Sequence, residues 1–270
     1  LFLRSYKILA AGLAAALLLS GCSLTEEYFG ESEEAPLEGK REAILETGRG
    51  AVPDVDLGLV PVIVPPQISD EWPTSGRNAA HAGGNLAWSS GGALAWSSDA
   101  GTGSRDAAQR VLSTPIVSNG RIFVLDAVLE VHALDAQTGS RIWSAETAPE
   151  DEEDGFGGGL VSDGAVVYVA GGHGKALALN ASDGSVRWQV DLPGPVRSAP
   201  ALAGGLLLAT TADNTIIALN TEDGTRAWIQ RGVSEATSML GSPAPAVAND
   251  AVISALTNGD LVVMRASNGR

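Results

Sequence analysis

One phrase occurs three times: Ala133-Leu-Asp-Ala-Gln-Thr-Gly139-Ser-Arg-Ile-Trp143, Ala178-Leu-Asn-Ala-Ser-Asp-Gly184-Ser-Val-Arg-Trp188 and Ala218-Leu-Asn-Thr-Glu-Asp-Gly224-Thr-Arg-Ala-Trp228. The tryptophans lie 45 and 40 residues apart (188 − 143 and 228 − 188), and Trp96 extends the series backwards by 47 (143 − 96). A degenerate fourth copy, Met264-Arg-Ala-Ser-Asn-Gly269-Arg270, stops before the next Trp, which a 45-residue period places near 273. The expectation is that the chain is cut inside a repeat. Recurrence at such a period marks an architecture in which each unit buries its apolar face against the next.

Upstream of each phrase stands a second shared pattern. It reads Pro115-Ile-Val-Ser-Asn-Gly120-Arg-Ile-Phe-Val124, Gly159-Leu-Val-Ser-Asp-Gly164-Ala-Val-Val-Tyr168, Pro200-Ala-Leu-Ala-Gly-Gly205-Leu-Leu-Leu208 and Pro245-Ala-Val-Ala-Asn-Asp250-Ala-Val-Ile253. Each is a strand, a tight turn of Asn, Asp or Gly, which tolerate positive φ, and a second strand. The phrase adds a third strand ending at Ala-Leu-Asp/Asn, a turn closed by Gly, and a fourth strand carrying the Trp. Four antiparallel strands per repeat make a propeller blade. Helix-pair solenoids are excluded because the segments show no 3.6-residue period. The fold expected is all-β, a β-propeller with four to five blades present.

The phrase resembles the pyrroloquinoline-quinone-type propeller repeat, in which the Trp packs between blades and the Gly sits at the turn before it. An apolar leader ending in Cys22, an acidic stretch, the segment Trp72-Pro-Thr-Ser-Gly-Arg-Asn-Ala-Ala-His81 and these repeats together resemble the BamB family, the propeller lipoproteins of the outer-membrane β-barrel assembly (BAM) machinery. That resemblance implies eight blades in a whole member, of which this chain looks like the N-terminal half. It also implies a non-catalytic scaffold without a cofactor, docked on BamA, the barrel-folding subunit, beside the other BAM subunits and in contact with nascent outer-membrane proteins.

The leader, Leu1-Phe-Leu-Arg4-Ser-Tyr-Lys7, runs into an apolar stretch from Ile8 to Leu19. At twelve residues that stretch is too short to span a bilayer, which takes about 20, and it fits the apolar part of a secretory signal. Leu19-Ser20-Gly21-Cys22 resembles the bacterial lipoprotein cleavage box, and Cys22 is the chain's one cysteine. The resemblance implies cleavage before Cys22, acyl chains such as palmitate on that residue, and, with Ser23 following, sorting to the periplasmic face of the outer membrane. Several acyl chains make a stable anchor, each buried CH₂ contributing about 0.8 kcal/mol. Residues 23–71 hold twelve Asp and Glu against Lys40, Arg41 and Arg49. Such composition predicts a flexible tether. The expected organisation is a signal peptide over 1–21, a lipidated Cys22 with an acidic tether to 71, and blades over 72–270.

The chain carries 17 Lys and Arg against 32 Asp and Glu, a formal charge of −15. That excludes a sequence-independent nucleic-acid binder, which neutralises phosphates with basic residues. A single cysteine excludes an intramolecular disulfide and a four-cysteine zinc site. His81, His132 and His173 stand in different segments without metal-ligand spacing, and Gly171-Gly-His-Gly-Lys175 fails the phosphate-loop pattern, reading instead as the turn between second and third strands. The run Glu150-Asp-Glu-Glu-Asp154, followed by Gly155-Phe-Gly-Gly-Gly159, reads as a solvated loop between blades, the alternative being an acidic contact for a basic partner or a calcium site, for which no ligand spacing is visible.

By position, Leu192-Pro-Gly-Pro-Val196-Arg197-Ser198 resembles the BamB family's BamA-binding loop, where an Arg with apolar neighbours makes the contact. Val196 and Arg197 are the residues it points to, with Glu235 as the one acid in the next inter-blade loop, where the family uses several. The same repeat also occurs in quinone-dependent dehydrogenases, which leaves a periplasmic quinone-dependent or ligand-binding propeller as the alternative. Those enzymes resemble one another in a vicinal cysteine pair that this chain lacks.

Overall fold

The computed structural model describes residues 63–87, 92–104, 110–149, 157–234 and 243–270. The chain divides into two compact units, Leu1–Val60 and Pro61–Arg270, and all described residues belong to the second. They form strands and turns with no helix.

The first blade is β1 (Ile116–Ser118), β2 (Arg121–Leu125), β3 (Glu130–Asp135) and β4 (Arg141–Glu146). The second is β5 (Gly158–Ser162), β6 (Val166–Gly171), β7 (Lys175–Asn180) and β8 (Val186–Asp191). The third is β9 (Ala201–Ala203), β10 (Leu206–Thr210), β11 (Thr215–Asn220) and β12 (Arg226–Arg231), and β13 (Ala246–Ala248), β14 (Ala251–Ala255) and β15 (Leu261–Arg265) begin the fourth. Each sheet is an antiparallel meander in sequence order. Third and fourth strands slip register at the same place in every complete blade, at Ala133/Leu134, Ala178/Leu179 and Ala218/Leu219. These strands are therefore the four-stranded blades that the repeat predicts.

Alternation along each strand sends its side chains to two faces, and in the second blade both are buried. Val167, Val169, Leu177 and Leu179 join Phe123, Leu125, Val131 and Trp143 of the first blade in one core. Val166, Tyr168, Ala176 and Ala178 turn the other way and pack with Leu207, Ile217 and Leu219 of the third. Ile216, Ala218 and Leu208 then meet Val252 and Met264 of the fourth. On β15, Leu261 and Val263 occupy the places of the buried Ala176 and Ala178 and are exposed.

What fixes one sheet on the next is the repeat phrase. The Nε1–H of Trp96, Trp143, Trp188 and Trp228 donates to the carbonyls of Ala136, Ala181, Thr221 and Ala266, at 3.2, 3.1, 2.9 and 2.7 Å. In each case the acceptor lies in the following blade's phrase. The same indoles lie flat against Gly139, Gly184, Gly224 and Gly269, whose φ values are 72°, 76°, 73° and 70°. A Cβ on Gly184 would sit 2.6 Å from Trp143 Cε3, and one on Gly269 2.7 Å from the same atom of Trp228. Only glycine supplies both the left-handed backbone and the flat seat. Trp143 and Trp188 also meet Phe123 and Tyr168 at 5.8 and 6.0 Å between ring centroids, in tilted pairs.

The segment Trp72–Ala79 does not belong to any blade sheet. It crosses the first strands as a strap: Trp72 exchanges both backbone hydrogen bonds with Val117 of β1, the Ser162 amide donates to Pro73 O, and the Val247 amide donates to Ala79 O. Glu71, placed by the sequence in the tether, accepts from the Asn119 amide at 2.9 Å, and Gln67 bridges Leu86. Ordered contacts with this unit thus begin before the expected boundary at 72. The signal segment, Cys22 and the tether up to residue 62 lie outside the described residues, as does the acidic run 150–154.

Gly184→Ala is expected to cost about 1–3 kcal/mol more than Gly205→Ala in denaturant unfolding, because both leave a left-handed φ (76° and 82°) but only Gly184 faces an indole, which would be overpacked. Acid sensitivity follows from the phrase turns. The Ser185 hydroxyl and amide hold the Asp183 carboxyl below its ordinary value, as the Thr225 hydroxyl and amide hold Asp223 and the Thr138 amide and hydroxyl hold Asp135. Carboxyls depressed in the folded state stabilise it above the unfolded value near 4, and that contribution is lost as pH falls through the folded values. Stability followed by denaturant titration is expected to drop below about pH 4, less steeply in Ser185→Ala.

Candidate partner-binding site

In an antiparallel meander, the second-to-third-strand turns and the connections between blades share one end of the sheets. Here that end carries the turns 126–129, 171–174, 211–214 and 256–260, with the connection 192–200 and the described stretches 232–234 and 243–245. The remaining turns, with the tryptophan seats, lie at the opposite end.

The connection from β8 to β9 is pinned on both sides. The Leu192 amide donates to Gly174 O at 2.7 Å and the Val196 amide to Gly171 O at 3.1 Å, both in the second blade's turn. The Ala212 amide of the third blade's turn donates to Pro195 O at 2.8 Å. Pro193 and Pro195 are exposed between these anchors, and their rings fix φ. The result is a short rigid ridge spanning two blades.

Of the three expected contact residues, Val196 and Arg197 are among the described residues. Val196 is fully buried, at 0% exposure, in the core between the second and third blades, so its side chain is a root of the ridge and not a surface contact. That corrects the sequence expectation: Val196 pairs with Thr211 as a short bridge, and alternation turns its side chain inward while its neighbours remain outside. Arg197 is half-buried, with its backbone and stem close to Gly157. Glu235 lies outside the described residues.

A second cluster at the same end had no signal in histidine spacing alone. Asp126, Glu130 and His132 bring their ligand atoms within 4.8 Å of one another. Asp126 Oδ1 accepts from the amides of Val128 and Glu130, and Oδ2 accepts from the Thr102 amide at 2.8 Å and faces His132 Nε2 at 3.2 Å. Glu130 Oε2 lies 3.8 Å from the same ring nitrogen. A metal on Nε2 would move the ring proton to Nδ1, which is buried without a hydrogen-bond partner. The Gly101 backbone also closes over Nε2 and Asp126 Oδ2, leaving no room even for a Cβ. The group acts as a polar clamp with the proton on Nε2: Asp126 holds Thr102, and the Ala127 amide returns a bond to Thr102 O. Its signal was visible in the repeats, since the places of Asp126 and His132 are taken by Gly171 and Leu177, then by Thr211 and Ile217, in the next two blades.

His81 is exposed and stacks over Gly76. Gly171–Lys175 forms the β6–β7 turn, as its sequence predicts, with Lys175 Nζ 2.7 Å from Asp191 Oδ1.

A family model described as outer membrane protein assembly factor BamB matches residues 65–151 and 128–270. The assembly factor BamB of Yersinia pestis is 32% identical over 155 residues, covering 55% of this chain and 39% of the relative. That of Nitrosomonas eutropha is 27% identical over 150 residues, covering 56% and 35%. The chain thus spans well under half the length of these curated relatives. Among solved structures, a quinohemoprotein alcohol dehydrogenase from Comamonas testosteroni is similar at a TM-score of 0.52 and 25% identity, over 61% of this chain and 27% of that one. Blades locked by the phrase and a family match reaching from residue 65 to 270 give one conclusion: the chain belongs to the BamB family of outer membrane protein assembly factors.

Proposed function

We propose that this protein is a non-catalytic scaffold lipoprotein of the outer-membrane β-barrel assembly machinery. It is anchored by lipid on Cys22 to the periplasmic face of the outer membrane and docks BamA through the ridge at 192–197. The family match over the blades carries the reading. The ridge supports the docking part, because a segment held by hydrogen bonds to two blades loses little conformational freedom when a partner binds it. In this arrangement Pro193 and Pro195 present apolar surface, Arg197 supplies a planar multi-donor contact at its edge, and Val196 holds the ridge from beneath. Glu235, in the next connection, adds a carboxylate contact.

The alternative is a quinone-dependent enzyme, with which the protein shares its blade geometry. Affinity purification of the full-length protein from membrane extracts separates the two. Recovery of BamA and other BAM subunits, cut by about tenfold or more in Arg197→Glu, is the expected result, since Arg anchors at interface centres contribute about 2 kcal/mol or more. Recovery without an Arg197 effect discards the ridge and keeps the scaffold. A copurified chromophore in place of BamA moves the protein to the enzyme class.

Anchoring is read independently. Mass spectrometry of the mature protein is expected to show a diacylglyceryl and acyl-modified Cys22 as the first residue, and Cys22→Ser to release the protein into the soluble periplasmic fraction. Unmodified Cys22 in a membrane-bound protein would sink this part of the proposal.

A further inference from the structure

The β10–β11 turn, Thr211-Ala212-Asp213-Asn214, is flanked by two chain connections. On one side the Ala212 amide donates to Pro195 O at 2.8 Å and Val196 bridges Thr211, which attaches the ridge. On the other side Asn214 Nδ2 donates to Val233 O at 2.8 Å, and Asn214 O accepts from the Gly232 amide at 2.9 Å. Asp213 stands between these two anchor points and is exposed. Its Oδ1 would lie 3.8 Å from a Cβ on Gly194, so the carboxylate sits beside the crest of the ridge. Apolar surface flanks it. Pro193 and Pro195 are exposed on the ridge side, and Val233 is 66% exposed on the other.

The turn itself does not require this charge. Asp213 Oδ1 accepts from the Thr211 hydroxyl and, at 3.3 Å, from the Thr215 amide. In the fourth blade the same place is held by Asn258, whose Oδ1 accepts from the Asp260 amide at 3.1 Å. A neutral amide thus closes the same turn, and in the first and second blades the place is taken by Val128 and His173. Among the described residues, no Lys or Arg forms an ion pair with Asp213. Its neighbour Asp191, at the foot of the ridge, differs in this respect, with Lys175 Nζ 2.7 Å from its Oδ1. A carboxylate without a counter-charge, set between apolar surfaces that backbone hydrogen bonds hold in place, suits an interface anchor. Its charge attracts a cation, and the apolar flanks exclude water once a partner covers them, which strengthens the attraction.

We propose that Asp213 receives a basic side chain, Arg or Lys, which the docking partner presents between apolar residues that cover Pro193, Pro195 and Val233. The inference rests on the reading of the ridge as the docking site, and it extends that site across the third blade's turn to Val233. The partner surface selected is basic at its centre and apolar around it, and an acidic surface is repelled.

The test titrates detergent-solubilised BamA against the immobilised full-length protein at low and at high salt, using the wild type, Asp213→Asn, Val233→Ser and Asp191→Asn. Asp213→Asn keeps the acceptor that the turn needs, so its thermal midpoint is expected to stay with that of the wild type. Its affinity for BamA is expected to fall about tenfold and to depend less on salt, because the interaction that salt screens has gone. Val233→Ser is expected to weaken binding at low and high salt alike, with the fold intact, because Asn214 holds the backbone carbonyl there and not the side chain. Asp191→Asn, whose charge Lys175 already balances, is expected to bind as the wild type does. Wild-type affinity in Asp213→Asn, or an equal loss in Asp191→Asn, overturns this inference, while an effect of Arg197→Glu in the same assay leaves the docking reading in place. No binding of BamA by the wild type overturns both.

Discussion

Each blade is held to the next by an indole lying on a glycine. Trp143 covers Gly184 and donates to Ala181 O, Trp188 does the same at Gly224 and Thr221, and Trp96 and Trp228 complete the series. The phrase is therefore both plug and socket: its Gly and one carbonyl receive the preceding tryptophan while its own tryptophan reaches forward. This explains why the spacing from Gly to Trp is four residues in all three full copies. A Cβ at the seat lifts the ring off, and a shift of one residue in the strand turns the Trp to the other face. The contact joins unlike surfaces, head to tail, so it propagates through a series of blades instead of closing a pair.

The interlock determines what the other end of the sheets can do. With the sheets fixed to one another, turns and connections of neighbouring blades can be joined by ordinary backbone hydrogen bonds. The ridge at 192–197 bonds to the turns of two blades, and Asn214 links its own turn to Val233 O and to the Thr257 amide and hydroxyl of the fourth blade. Asn214 adopts a φ of 65° while fully buried, a position an Asn tolerates because its side chain satisfies three polar groups on Val233 and Thr257. The strap adds a second set of links across first strands that are distant in sequence.

Architecture was legible because it is written in periodic residues. The tight turns at Asn119-Gly120 and Gly204-Gly205, the bulged third strand and the tryptophan seat each follow from local chemistry repeated in phase. Even the degenerate copy at Met264–Arg270 forms the same seat, since Gly269 and the Arg265 carbonyl suffice for the turn. The site was less legible because it depends on departures from the repeat. Val196 was singled out by its position beside Arg197, and only the pairing with Thr211 and its burial show that its side chain points inward. The Asp126–His132 clamp joins residues six apart across a turn and needs Gly101 and Thr102 from the preceding segment to be complete. The strap pairs Trp72 with a residue 45 positions on (117 − 72), through backbone atoms that leave no mark on composition.

These departures share a physical logic. Where the repeat is kept, the faces between blades are apolar and the energy comes from burial, which is indifferent to which blade comes next. Where it is broken at Asp126, a carboxylate stands in a place that the second blade fills with Gly171 and the third with Thr211. In the first blade, Asp126 accepts four hydrogen bonds, and the substitution serves assembly by holding Thr102. A satisfied buried polar group of this kind specifies a structure, because removing any one of its partners leaves a cost in the interior.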